Sequence, residues 1–278
     1  MPEPPERSPA RGRGPGGERA ASPPAAAALT ASGTIDGIPV TVRRGTTLLS
    51  AARELGIDIP TLCHHEGLPP EGSCRLCLCE VKGQLAVSCM YPLAADGFAA
   101  LTGSPAVMEA RRHVIWLLAA RAPKAPRIAR LAEEYGARPD PRFMKDPDGC
   151  IRCGRCVRAC RASGPEAIAL CGRGYGRFVT GPFGRPPEDC IGCLACALSC
   201  PVGKIAFSER PDRRRIWERD FELAPCPECG ARVFTREQLA FHGAAASALC
   251  PSCRRRAMAG ELRKAAAFEA APALARSL

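Results

Sequence analysis

The chain has 278 residues, of which 18 are cysteine, 27 glycine and 28 proline, and only 5% are aromatic, so a single large hydrophobic core is excluded and several small metal-stapled modules are favoured. The formal charge of +11 on its own suggests nucleic acid or an acidic surface, but that count treats every thiol as neutral. No apolar run approaches the roughly 18 residues of a membrane span, and no basic stretch leads into an apolar h-region, so the reading is cytoplasmic with any membrane association made through partners.

Residues 1–33 combine Pro, Gly, Ala and Arg with almost no large apolar side chains and read as a disordered tail. Order is expected from "TIDGIPVTV", where Asp36-Gly37 between two apolar runs signals a two-residue hairpin. Thr46 or Thr47 can cap a helix through "LLSAAREL", with Leu48, Ala52 and Leu55 on one face and Gly56 at its end. Two strands, a helix and a cysteine loop make the front half of a β-grasp layout. Residues 104–138 read as two helices broken at Pro123 and Pro126, the first with Val107, Ala110, Val114 and Leu117 in register.

The segment 139–212 contains an internal repeat. "CIRCGRCVRAC" and "CIGCLACALSC" each lead into a short β-prone run, "EAIAL" and "KIAF". Cys150, Cys153, Cys156 and Cys160 are spaced C-x2-C-x2-C-x3-C, and Cys190, Cys193, Cys196 and Cys200 repeat the spacing, with Pro201 completing the second run. This is the bacterial two-cluster ferredoxin pattern, in which the fourth cysteine of each run serves the other cluster. The expected sets are therefore Cys150, Cys153, Cys156 and Cys200 for one 4Fe-4S cluster, and Cys190, Cys193, Cys196 and Cys160 for the other. Arg161 stands where the second run has Pro201, a small departure, and Cys171 lies outside both motifs as a small hydrophobe beside a cluster.

A further four, Cys226, Cys229, Cys250 and Cys253, are spaced C-x2-C-x20-C-x2-C, the spacing of a four-cysteine zinc ribbon. Iron could take the same tetrahedral thiolate geometry, and zinc is the metal expected. An Ala-rich helical tail follows.

The stretch 63–89 holds five cysteines, Cys63, Cys74, Cys77, Cys79 and Cys89, one more than a cluster needs, and its spacing is not the plant-type pattern. The words "TLLSAARELGIDIPTLCHHEGL", "GSCRLCLCEV" and the closing "VSC" resemble the N-terminal 2Fe-2S domain of the large iron-sulfur subunit of respiratory complex I and of the small diaphorase subunit of NAD-reducing hydrogenases. The resemblance continues through "RRHVIWLLAA" and the paired cysteine runs, over residues 34–210 or so. It implies that Cys63, Cys74, Cys77 and Cys89 hold a 2Fe-2S cluster, while Cys79 falls where an apolar side chain is usual. Many relatives carry a further 4Fe-4S cluster on one His and three Cys; the helical segment here offers only His113, an ordinary surface or interface residue, so that cluster is expected to be absent. His64 and His65 flank a ligand and read as solvent-facing loop residues, with hydrogen bonding near the cluster as the functional alternative.

The fold class read from these features is α+β, multi-domain and metal-stapled: a β-grasp 2Fe-2S ferredoxin domain (34–103), a helical linker (104–138), a bacterial-type dicluster ferredoxin domain (139–212), and a zinc ribbon with helical tail (213–278). With three clusters and one four-thiolate zinc site bound, the net charge falls to about +3, and Arg75, Arg152, Arg155, Arg158 and Arg161 are placed to offset the anionic centres. No phosphate-binding loop, Ser-His-Asp arrangement or Rossmann glycine motif is present; "GRGYGR" has the wrong spacing. Three one-electron centres without a substrate pocket describe a non-catalytic electron-transfer subunit of a multisubunit oxidoreductase. The resemblance implies an NAD(P)-binding flavoprotein on one side and a catalytic redox subunit, such as a hydrogenase or formate dehydrogenase, on the other. The alternative is a free-standing redox-sensing or nucleic-acid-binding zinc-ribbon protein, motivated by "RRR" at 254–256; the charge correction and the scarcity of aromatics for base stacking argue against nucleic acid.

Overall fold

The computed structural model describes residues 29–138, 140–143, 148–243 and 249–269; the expected tail up to residue 28 and the end of the helical tail lie outside them. The chain folds as a mixed α+β structure in which two larger sheets flank the paired cysteine runs.

Strands β1 (Thr30–Ile35) and β2 (Ile38–Arg43) pair antiparallel, Ile35 opposite Ile38. Asp36 and Gly37 between them both take positive φ, 50° and 79°, the two-residue hairpin expected from the Asp-Gly pair. The Asp36 carboxylate then accepts from the Thr102 amide (2.7 Å) and hydroxyl (2.5 Å), tying the turn to the residue that follows the fifth strand. Helix α1 (Leu48–Glu54) starts at Thr47, whose hydroxyl accepts from the Ser50 amide at 3.2 Å, and buries Leu48, Leu49, Ala51 and Ala52. Strands β3 (Leu78–Val81), β4 (Gln84–Val87) and β5 (Phe98–Leu101) complete a five-stranded sheet of order β2-β1-β5-β3-β4, with β1 and β5 parallel.

The first strand begins at Thr30, four residues before the expected start at Thr34. "TASG" carries no large apolar residue because it is held by backbone pairing and by close approach: a Cβ on Gly33 would collide with the Phe98 carbonyl and ring.

Helices α2 (Pro105–Arg121) and α3 (Pro126–Glu134) break at the two prolines as expected. The buried face of α2 is Val107, Arg111, Ile115 and Ala119, not the Val107, Ala110, Val114 and Leu117 stripe; Leu117 is exposed. The cause is Arg111, which is buried because its guanidinium donates to the Leu78 carbonyl on β3 at 2.6 Å and so turns that face of the helix toward the first sheet.

The repeat supplies α4 (Arg155–Ala162) and the single-turn α5 (Ala195–Leu198), with the ribbon β6 (Ala169–Cys171) and β7 (Phe178–Thr180) between them. Strand β8 (Phe207–Glu209) pairs with β9 (Arg213–Ile216), which pairs with β10 (Arg219–Pro225) and β10 with β11 (Arg232–Thr235). This sheet runs across the boundary expected at 212/213, so the C-terminal module is hydrogen-bonded to the end of the second cysteine run instead of following it on a linker. Helices α6 (Arg236–Phe241) and α7 (Pro251–Glu269) close the described chain. Among the described residues no helix is long and apolar enough to cross a membrane.

Candidate metal centres

Cys63 and the pair Cys74 and Cys77 come from loops and Cys89 from a 3-10 turn (Ser88–Met90), and all four are buried. Their thiols interact in a chain, Cys74 to Cys63 to Cys89 to Cys77: Cys74 and Cys89 hold the Cys63 thiol far below its ordinary pKa, and Cys89 together with Ser88 holds Cys77 down at about 6. Arg75, between Cys74 and Cys77, takes a left-handed φ of 57°, which lets the short loop curl its sulfurs inward. Ser88 braces the loop by donating to the Cys77 carbonyl at 2.7 Å. Cys79, fully buried on β3, belongs to the hydrophobic core of the first unit, and burial pushes its thiol up to about 11. It therefore sits in the core as a neutral side chain.

The two runs of the repeat share one backbone trace. Positions 152 and 154 are left-handed (φ 57° and 69°), as are their counterparts 192 and 194 (φ 66° and 64°). The residues are exchanged: Arg then Gly in the first copy, Gly then Leu in the second. Each loop thereby turns three sulfurs to one side and sends the fourth cysteine along a helical turn. Cys150, Cys153, Cys156 and Cys200 line one cavity of about 470 Å3, and Cys160, Cys190, Cys193 and Cys196 line a second, much tighter one. Backbone amides aim at several of these sulfurs: Ala167 N–H donates to Cys160 (3.2 Å), Gly192 to Cys190 (3.5 Å) and Lys204 to Cys200 (3.3 Å). Burial pushes Cys153 up to about 11, Cys156 to about 12 and Cys196 to about 11. A cationic iron centre is what reverses such a shift, and converging sulfurs with amide donors form a donor set that fits one. Cys171 is half-buried on β6 and lines neither cavity.

The sulfurs of Cys226, Cys229, Cys250 and Cys253 lie within 4.8 Å of one another, a closeness that tetrahedral thiolate ligation of one ion requires. Cys226 precedes the turn to β11, and Cys250 and Cys253 lie at the start of α7. The Cys250 amide donates to the Cys226 sulfur (3.4 Å) and holds that thiol down at about 6, while the Arg256 guanidinium donates to Cys253 (2.9 Å).

The histidines stay apart from these sets. His113 is exposed beside Trp116, and His65 is exposed with its Nδ1 accepting from the Gly67 amide (3.1 Å). His64 is half-buried, and its Nδ1 is buried without a partner among the described residues.

Sequence reasoning missed what joins the centres. Arg155 donates to the Leu62 carbonyl (3.2 Å), and Arg158 to those of Pro69 (2.6 Å) and Cys63 (2.5 Å), so α4 grips the Cys63 loop. Ser73 donates to the Cys153 carbonyl (3.1 Å), and Cys63, Cys74, Ile151 and Cys153 share one apolar cluster with Ile115 and Ile128 of the helical pair. On the other side Arg214 donates to the Gly192 carbonyl (2.8 Å), Arg219 to those of Pro187 (2.8 Å), Glu188 and Cys190 (2.9 Å), and Thr235 to that of Ile191 (2.5 Å). The available signal was the arginine spacing in "RCVRAC", which reads on sequence only as charge compensation.

Residues 30–104 match the 2Fe-2S iron-sulfur cluster binding domain family. The chain is 32% identical over 226 residues to an NADH-quinone oxidoreductase subunit of Rhizobium meliloti (strain 1021), covering 71% of this chain and 26% of that protein. It is 37% identical over 158 residues to an NADP-reducing hydrogenase subunit, HndD, of Solidesulfovibrio fructosivorans, covering 46% and 27%. A crystal structure of an NAD+-reducing NiFe-hydrogenase in the H2-reduced state aligns with 28% identity and a TM-score of 0.49, over 63% of this chain and 78% of that one. The chain thus spans about a quarter of the length of these two curated relatives. Its first unit is a 2Fe-2S ferredoxin-type domain, and over 71% and 46% of its length the chain is similar to subunits of an NADH-quinone oxidoreductase and of an NADP-reducing hydrogenase.

Proposed function

We propose that the chain is an electron-transfer subunit of a multisubunit NAD(P)-linked oxidoreductase, with a 2Fe-2S cluster on Cys63, Cys74, Cys77 and Cys89, two 4Fe-4S clusters on the crossed sets of the repeat, and zinc on Cys226, Cys229, Cys250 and Cys253. The observation that carries this reading is the order of the thiol sets in space: Cys63 and Cys74 share an apolar cluster with Cys153, and Cys156 lies close enough to Cys196 for their charges to interact. The first set therefore adjoins the second, and the second adjoins the third.

The iron centres supply the one-electron chemistry when bound. The residues of this chain hold the sulfurs, exclude water and set the charge around them. Burial of Cys153, Cys156 and Cys196 keeps solvent from the sulfurs, and the amides of Ala167, Gly192 and Lys204 give hydrogen bonds to Cys160, Cys190 and Cys200. Arg155 and Arg158 keep the Cys63 loop seated on α4, fixing the distance between the first two sets. By the likeness to the relatives, the partners are an NAD(P)-binding flavoprotein and a catalytic redox subunit.

Anaerobic purification from the native host with metal and sulfide analysis tests the assignment. About ten irons and about one zinc per chain are expected, together with a flavin-containing partner. About six irons would remove one 4Fe-4S cluster, a chain without a partner would overturn the subunit reading, and NAD(P)H-dependent dye reduction by the chain alone would make it an enzyme in its own right.

A further inference from the structure

Arg152, the residue before Cys153, has a left-handed φ of 57°, and at the matching place the second run has Gly192 with φ of 66°. A side chain in that region meets a steric penalty that glycine escapes. The first run therefore keeps an arginine where its twin has the residue that the backbone prefers. The arginine is pinned in place. Its guanidinium meets the Asp148 carboxylate at 2.8 Å and donates to the Cys150 carbonyl at 3.2 Å. Arg121 reaches the same two groups from α2, Asp148 at 3.7 Å and the Cys150 carbonyl at 3.4 Å. One carboxylate between two guanidiniums leaves a net positive charge beside Cys150.

That charge faces the cavity of Cys150, Cys153, Cys156 and Cys200, which Arg152 lines. Of the charged residues along this wall, Asp148, Lys204, Arg215 and Glu218 are exposed, whereas the Arg152 side chain is only 16% exposed. Solvent and salt screen the exposed charges and leave a nearly buried one in force. The Arg152 Nε is buried and has no hydrogen-bond partner among the described residues. A buried donor without an acceptor is costly, and the sulfurs of a bound cluster are acceptors. The second cavity differs: among the described residues no charged side chain lines it. Arg219 donates to the Cys190 carbonyl (2.9 Å) from outside and lines neither cavity.

We infer that Arg152 raises the reduction potential of the 4Fe-4S cluster on Cys150, Cys153, Cys156 and Cys200, through a guanidinium held at the wall of that cavity by Asp148 and the Cys150 carbonyl. This rests on the cluster assignment proposed above. The reduced cluster carries one more negative charge than the oxidised one, so a fixed cation beside it stabilises the reduced form and makes the electron easier to add. The second run has no side chain at this place, so the effect falls on one 4Fe-4S cluster and not on its twin. Arg152 is a tuning residue and takes no part in ligation.

The test is a redox titration followed by electron paramagnetic resonance on the anaerobically purified complex, wild type against Arg152→Gln, which removes the charge, and Arg152→Gly, which copies the second run and suits the left-handed backbone. The expected result in both variants is a fall in the midpoint of one 4Fe-4S signal, with the other 4Fe-4S signal unmoved and the iron content unchanged. A Cys153→Ser complex identifies the moving signal as the one that disappears. Arg215→Gln removes an exposed charge from the same wall and is expected to move that midpoint less. Unchanged midpoints in both Arg152 variants, equal shifts of both 4Fe-4S signals, a shift as large in Arg215→Gln, or loss of about four irons from Arg152→Gly would each overturn the inference. A wild-type complex without two 4Fe-4S signals would instead overturn the cluster assignment, so the two failures are separable.

Discussion

The two copies of the cysteine repeat share a backbone and differ in how they are gripped. The first copy reaches outward: its own Arg155 and Arg158, on α4, donate to carbonyls of the Cys63 loop. The second copy has Ala195 and Leu198 at the matching places, side chains with no donor to reach with. It is gripped from outside, by Arg214, Arg219 and Thr235 of the C-terminal sheet, which donate to carbonyls between Pro187 and Gly192. A repeated motif thus fixes where the sulfurs go, while the non-repeated residues decide which neighbour each copy is fastened to. The first is fastened toward the 2Fe-2S domain and the second toward the four-cysteine module.

The sharpest way to break the comparison is to remove one fourth cysteine at a time. If the sets cross between copies, Cys200→Ser takes away the cluster held with Cys150, Cys153 and Cys156, and Cys160→Ser takes away the one held with Cys190, Cys193 and Cys196. Each variant is expected to fall from about ten to about six irons, with a different 4Fe-4S signal lost in each. Were Cys200→Ser to abolish the same signal as Cys190→Ser, the sets would be uncrossed.

A smaller effect separates the copies by packing. Gly192 and Gly154 are both left-handed, yet a Cβ on Gly192 would stand 2.8 Å from the Phe221 ring and 3.0 Å from Thr235, whereas one on Gly154 would meet Leu170 at an ordinary 3.5 Å. Gly154→Ala is expected to cost about 1 kcal/mol, the left-handed penalty alone. Gly192→Ala adds overpacking and is expected to cost about 3 kcal/mol. Thermal unfolding of the anaerobic holo-proteins measures both; equal losses would mean that the sheet does not seat the second copy.

Arg158→Gln tests the other fastening. The guanidinium is nearly buried and donates to two carbonyls, so its loss is expected to destabilise the seam by about 2 kcal/mol. Faster amide exchange in residues 61–69 than in the C-terminal sheet is the readout. Uniform exchange throughout would show that the seam does not depend on this residue.

What the sequence could and could not reveal follows the same division. The Asp36-Gly37 hairpin, the Thr47 cap, the break at Pro123 and Pro126 and the repeat itself are local, and each was readable from adjacent residues. The candidate ligands were readable as spacings. The strand at Thr30 and the buried face of α2 depend on partners far along the chain: Phe98 for Gly33 and Leu78 for Arg111. The arginines of α4 belong to this second group, because the carbonyls they donate to, on Leu62, Pro69 and Cys63, lie far back along the chain.

The smallest expected effect concerns the surplus thiol. Cys79 is fully buried in the first core, two residues beyond Cys77, and burial keeps it protonated at neutral pH with its pKa pushed up to about 11. Its thiol donates to the Cys77 carbonyl (4.0 Å), whereas thiol–thiol contacts link Cys63 to Cys74 and Cys89, and Cys89 to Cys77. Cys79→Ser places a hydroxyl where an apolar atom sits, so it is expected to cost about 1 kcal/mol and to leave the 2Fe-2S resonance and the iron content untouched. Cys77→Ser is expected to change that resonance, because its thiol is among the four that converge. If Cys79→Ser changed the resonance and Cys77→Ser did not, the ligand would be the strand cysteine, and the first unit would have its register of inward sulfurs displaced by one pleat.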